Sequence, residues 1–381
     1  MFINSNFDGG NIRCLTCENP ADIQLQINKD HNSDFYQWFY FRLSGAQGKN
    51  CSLKIINAAD ASYVEGWQGY QAVASYDKVF WFRVDSSYRD GIFQIDHKPE
   101  FQSVYYAYFA PYSMERYGDF IGNVILDPKV QLDTLGKTLD GQDLDQLIIS
   151  NPAISGRPDA DKKKIWINAR QHPGETMASW WIEGFVKRLL DENDSISRAL
   201  LEQAIFYVVP NMNPDGSRRG HLRTNALGVN LNREWLTPTL EKSPEVYFVR
   251  QKMHKIGVDF CLDVHGDEAL PYNFIAGAQG IPSWNEQLAA LQDRFAKTLM
   301  QVNPDFQMEK GYPVSKPGQA NMTVCTNYIA ETFNCLALTL EMPFKDTIET
   351  PNPAQGWSPE RSAKLGASCL DAVCQIVADL R

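Results

Sequence analysis

No apolar run in this chain approaches the roughly 18 residues that a membrane-spanning helix needs. The opening stretch, MFINSNFDGGNIRCL, lacks a basic region followed by an apolar one, so no secretory leader is expected there. Positive charge is scarce. The 36 Lys and Arg stand against 46 Asp and Glu, a net charge of −10. That balance argues against a general affinity for nucleic acid or anionic membranes, and the expected setting is the cytoplasm. Eight scattered cysteines offer a single CxxC, Cys14 and Cys17, where a zinc ribbon needs a second pair. Most of the cysteines lie in apolar runs and read as small buried hydrophobes. Histidine is rarer still, with six in 381 residues, so its placement carries information.

What is present has two grammars. A chain of this length exceeds one ordinary core, and two domains are expected, 1–115 and 116–381. In the first, short runs such as ADIQLQIN, YQWFYFRLS, CSLKIINA and SVYYAYFAPYS are rich in aromatic and β-branched residues. Gly, Asn, Asp and Ser cluster between them, which predicts an antiparallel β-sandwich. In the second, apolar strands alternate with long amphipathic helices. TMASWWIEGFVKRLLD repeats Trp181, Phe185 and Leu189 at spacings of four, with Thr176 as a plausible N-cap. Such alternation predicts an α/β fold, a mixed, mainly parallel sheet with helices on both faces.

Four predicted strands end in polar residues. KKIWINAR runs into His172 and Glu175, and AIFYVVPNM into Asn213, Pro214, Asp215 and Gly216. DFCLDVHG ends at His265 and CLALTLEM at Glu341. Open α/β sheets bind ligands outside the carboxyl ends of their strands, so these groups are candidates for one site. Between His172 and Glu175, Pro-Gly favours a type II turn that would bring the two side chains together. Two imidazoles and one carboxylate suit Zn²⁺ and leave a position for water. Glu341 is then the candidate base, unless it merely pairs with Lys345. The segment GHLRTNALGVNLNREW adds Arg223, Asn232 and Arg233. One arginine could polarise a scissile carbonyl and the other hold a free carboxylate.

HPGE, NPDG, NLNREW, the histidine of DVHG and the glutamate of LTLEM resemble the zinc metallocarboxypeptidases, the carboxypeptidase A superfamily. The form HPGE, with Gly174 where digestive members carry arginine, is similar to the cytosolic carboxypeptidase branch. QWFYFRLS and YYAYFAPYS resemble the sandwich that precedes the catalytic domain there. The resemblance implies one Zn²⁺ on His172, Glu175 and His265, with Glu341 as general base and later proton donor. It implies Arg223 at the oxyanion, and Asn232 and Arg233 on the C-terminal carboxylate of a peptide or protein tail. Tyr312 is the candidate for the family's mobile tyrosine. Asn230 stands where the family usually has an aspartate behind a zinc histidine. The branch suggests acidic C-terminal residues, with Lys316 or Arg218 as a pocket cation. Two other readings compete: a zinc deacylase or amidase acting on small N-acylated amino acids, and a catalytically idle binding module.

Overall fold

Two five-stranded sheets take up the first hundred residues of the computed structural model, which describes residues 1–151 and 159–381. One runs Phe2–Asn4, Tyr40–Ser44, Ser103–Ala107, Val73–Ser75, Phe82–Arg83, antiparallel throughout. The other runs Arg13–Thr16, Ile23–Gln26, Cys51–Ile55, Ile92–His97, Asp85–Arg89. Burial alternates along Ile23–Gln26 and Cys51–Ile55, as a half-buried strand requires. Phe39, Phe41, Leu53, Phe93 and Ile95 are fully buried in the core that the two sheets share. One ladder departs from the expected antiparallel sandwich, since Ile23–Gln26 and Cys51–Ile55 pair in parallel. The chain crosses to the other sheet between them, through Tyr40–Ser44, so no hairpin sets their direction.

The second part is a seven-stranded mixed sheet. Its order is Val130–Lys137, Asp143–Ile149, Ala204–Val209, Lys163–Ala169, Phe260–Asp267, Leu336–Pro343, Phe274–Gly277. The central four strands are parallel and the outer three antiparallel. The central strands are buried almost end to end, so they read as apolar runs rather than alternating ones. Helix Met177–Leu189 packs on helix Pro359–Ile376, and its Trp181 and Phe185 rings stack 4.9 Å apart. Thr176 does not cap that helix with its side chain. Its hydroxyl instead donates to the Ala110 carbonyl at 2.9 Å, tying the helix start to the segment leaving the sandwich.

Helix Pro244–Ile256 carries a buried carboxyl at its start, Glu245. One oxygen lies 3.4 Å from Asn225 Nδ2 and the other has no partner among the described residues. Burial pushes this carboxyl up from 4.5 to about 8. The folded chain therefore keeps a proton that the unfolded chain releases. The resulting stability is full below about pH 4.5 and is lost as pH rises through 8, by up to about 1.4 kcal/mol per pH unit. Glu245→Gln is expected to flatten the fall in Tm between about pH 5 and 8, read by thermal melts across that range. An unchanged slope would show that Glu245 is not its source.

Candidate active site

Adjacent parallel strands deliver the central groups. His265 lies opposite Glu341 in the ladder between Phe260–Asp267 and Leu336–Pro343, and Lys163–Ala169 leads into the segment holding His172 and Glu175. At that strand's end Arg170 takes a left-handed backbone, φ 59°. Its buried guanidinium donates to the carbonyls of Pro173 at 3.0 Å and Tyr112 at 2.9 Å, fixing the bend. The Glu175 N–H donates to the His172 carbonyl at 3.2 Å, closing the turn. The turn is not type II, because Gly174 lacks the positive φ that type requires. Glycine serves a different need. A Cβ there would stand 2.9 Å from the Leu222 carbonyl, which accepts the Gly174 N–H at 2.8 Å.

His172, Glu175 and His265 are buried and offer ligand atoms that all lie within 4.8 Å of one another. His172 Nδ1 stands 2.6 Å from one Glu175 oxygen and His265 Nδ1 2.9 Å from the other. Each histidine's second nitrogen has its own partner. His172 Nε2 lies 3.1 Å from Asn230 Oδ1, and His265 Nε2 lies 2.9 Å from Asp263 Oδ2. The two imidazoles differ accordingly. Burial lowers His172 to about 4, with Arg223 adding to the effect. Burial acts the same way on His265, yet the Asp263 and Glu175 carboxylates hold it well above the usual range. Glu175 is held low by the two histidines in spite of its burial. Two histidine nitrogens, each ring held by a second partner, and one carboxylate fit a zinc ion.

Glu341 faces the same cleft, and one of its oxygens is buried without a partner among the described residues. The pairing with Lys345 does not form, because that ammonium donates to the Gln68 carbonyl at 2.8 Å. Burial, with Glu175, Asp267 and Glu268 nearby, holds the Glu341 carboxyl well above its ordinary value, although His265 opposes this. Arg223 also lines the cleft, its Cζ 5.4 Å from the Phe35 ring and 5.6 Å from the Tyr63 ring. Arg233 and Asn232 stand side by side. Arg233 Nη1 donates to the Asn232 carbonyl at 2.7 Å, and the Asn232 side-chain oxygen accepts the Cys325 N–H at 2.9 Å. Tyr312 reaches the cleft with its hydroxyl on Asp267, at 2.6 Å. The whole cleft measures about 680 Å³.

Not every expected group arrives. Asn213 caps helix Pro214–Arg219, and Asp215 accepts from Thr138, the Asp140 backbone and Gln142, so both support the scaffold. Arg218 and Lys316 are not among the lining residues. The cysteines of the CxxC are free, and Cys17 Sγ meets the Met1 carbonyl. Four contributors are not among the site residues expected from the sequence. Asp263, two residues before His265 on the same strand face, was legible from the period of two. Glu268 follows three residues after His265 and is buried in the cleft. Tyr63 and Glu65 come from the sandwich half. There Gly66 allows a close approach, since a Cβ on it would stand 3.0 Å from the Glu268 carbonyl.

Comparison with known proteins agrees with this geometry. Residues 3–109 match the family model for the cytosolic carboxypeptidase N-terminal domain, and residues 126–363 match that for zinc carboxypeptidase. A metallo-carboxypeptidase of Burkholderia cenocepacia superposes with a TM-score of 0.95 at 48% identity, covering 99% of both chains. A metallo-carboxypeptidase of Pseudomonas aeruginosa, solved with (2-guanidinoethylmercapto)succinic acid, gives 0.96 at 43% identity over the whole of both. Mouse cytosolic carboxypeptidase 6 is 27% identical over 79% of this chain, which spans 59% of that protein's length. Zinc-deacylase chemistry is not favoured by these matches. The cleft joins a candidate metal site, His172, Glu175 and His265, to Glu341, and the chain belongs to the zinc carboxypeptidase family.

Proposed function

We propose that the enzyme removes single residues from the C-termini of peptides or protein tails, with one zinc ion held by His172, Glu175 and His265. The observation that carries this reading is the unpartnered Glu341 oxygen, buried in the cleft that also holds Arg223, Asn232 and Arg233. Bound zinc would supply Lewis acidity and lower the pKa of a water. Arg233 and Asn232 grip the terminal carboxylate and so set which peptide bond is presented. Arg223 faces the carbonyl oxygen as negative charge develops there. Glu341 takes the proton of the attacking water and passes it to the leaving amine as the C–N bond breaks. Tyr312, at the rim, closes over the substrate.

The wall beside the carboxylate grip sets side-chain preference. It includes Val324, Thr326 and Thr339, with the two threonine hydroxyls 2.6 Å apart. Neither Lys316 nor Arg218 lines it, and Arg223 and Arg233 already have tasks. Among the described residues the acidic preference expected from the sequence therefore has no cation of its own, and this wall favours an uncharged C-terminal residue. Peptides differing only at that residue test the point: faster release of Ala, Ser or Leu than of Glu supports it, and the reverse overturns it. N-acyl amino acids in the same assay separate peptidase from deacylase. A cytoplasmic location is proposed from the cytosolic relatives and the free cysteines.

Asn230 supplies an amide where Asp263 supplies a carboxylate, so His172 is the less strongly supported ligand. Asn230 Oδ1 also accepts the Asn232 N–H at 3.1 Å, a bond a carboxylate preserves. Asn230→Asp is expected to slow zinc loss to a chelator about 10-fold or more. Equal or faster loss would count against it.

A further inference from the structure

The loop that carries Arg223 is held by the other half of the molecule. Asp30 lies in the sandwich half, 192 residues before Leu222, and is 2% exposed. One carboxylate oxygen accepts the Leu222 N–H at 2.7 Å. The other accepts the N–H of Arg223 at 2.8 Å and of Thr224 at 2.9 Å, and the Thr224 hydroxyl at 3.0 Å. Three successive amides converge on one anion, as in a backbone nest, and Arg223 is the middle residue. Such charge-assisted bonds are short and roughly twice as strong as neutral ones. The same loop is secured once more, where the His31 N–H donates to His221 Nε2 at 3.1 Å. Within the sandwich half, the Asp30 N–H donates to the Phe35 carbonyl at 2.8 Å. The Phe35 ring of this segment, like that of Tyr63, lies against the Arg223 guanidinium.

We propose that Asp30 is a positioning residue for catalysis: by fixing the backbone of Leu222–Thr224 it aims Arg223 at the reacting carbonyl, making the sandwich half part of the catalytic machinery. This rests on the oxyanion role of Arg223. An oxyanion donor acts only where it is already aimed, and a displacement of about 1 Å can cost about 100-fold in rate.

The test uses the full, zinc-reconstituted chain with Asp30→Asn, Arg223→Ala and the double variant. An amide keeps one accepting oxygen and turns an NH₂ toward the remaining donors. Asp30→Asn is expected to lower kcat about 10- to 100-fold, with KM and zinc content within about twofold of the parent. Arg223→Ala is expected to lower kcat about 100- to 1000-fold. The double variant should be no slower than Arg223→Ala alone, within about threefold. Losses that multiply, or a parental kcat in Asp30→Asn, would overturn the inference. A parental kcat in Arg223→Ala would instead remove the oxyanion role, and this proposal with it. If Asp30→Asn does not fold, Thr224→Val deletes one of the four bonds. A kcat loss of about 3-fold or more that vanishes in the Arg223→Ala background supports the inference, and no loss overturns it.

Discussion

Replacing Glu341 with Gln is expected to lower kcat by about 100- to 10,000-fold while zinc content stays at one per chain. Glutamine keeps the volume and one oxygen but cannot accept the water's proton. The carboxyl is buried in the cleft of the proposed metal ligands without touching Lys345, so no ion pair with the scaffold depends on its charge. Steady-state kinetics with metal analysis on the same sample checks both halves of the expectation. Parental kcat would move the base elsewhere, and lost zinc would make Glu341 part of the metal's support.

Arg233→Ala is expected to lower kcat/KM roughly 100- to 1000-fold, mostly through KM, because the partner it loses is a carboxylate drawn from water. Burial and the neighbouring Arg223 both lower the Arg233 pKa, so a substrate carboxylate relieves a crowded positive charge. Capping the substrate's C-terminus as an amide should cost the parent enzyme a similar factor and Arg233→Ala little more. Kinetics on the matched acid and amide check this. Full sensitivity to the cap in Arg233→Ala would assign the grip to another residue.

The parts legible in the sequence are those whose chemistry is local. HPGE, DVHG and LTLEM sit at strand ends, where the parallel sheet gathers them, and the helix periods follow from one buried face each. The role of Asn230 is implied by the family resemblance alone, and its side chain does meet His172. What failed was local reasoning about residues with distant partners. The Pro-Gly pair predicts a positive φ at Gly174, but glycine there makes room for the Leu222 backbone. Thr176 read as a helix cap, but its hydroxyl serves the Ala110 carbonyl. Asn213 and Asp215 end a strand as ligands would, yet their bonds go to the adjoining loops and helix. Asp30 offered no signal, because nothing near it in the chain shows that three amides nearly two hundred residues away converge on it.

Mass spectrometry of a peptide with a free C-terminus, incubated with the zinc-reconstituted protein and with Glu341→Gln, tests exopeptidase action directly. The expected result is loss of one C-terminal residue at a time, release of the free amino acid, and neither in the variant. Internal cleavage, or activity on N-acyl amino acids with every peptide left intact, would contradict it.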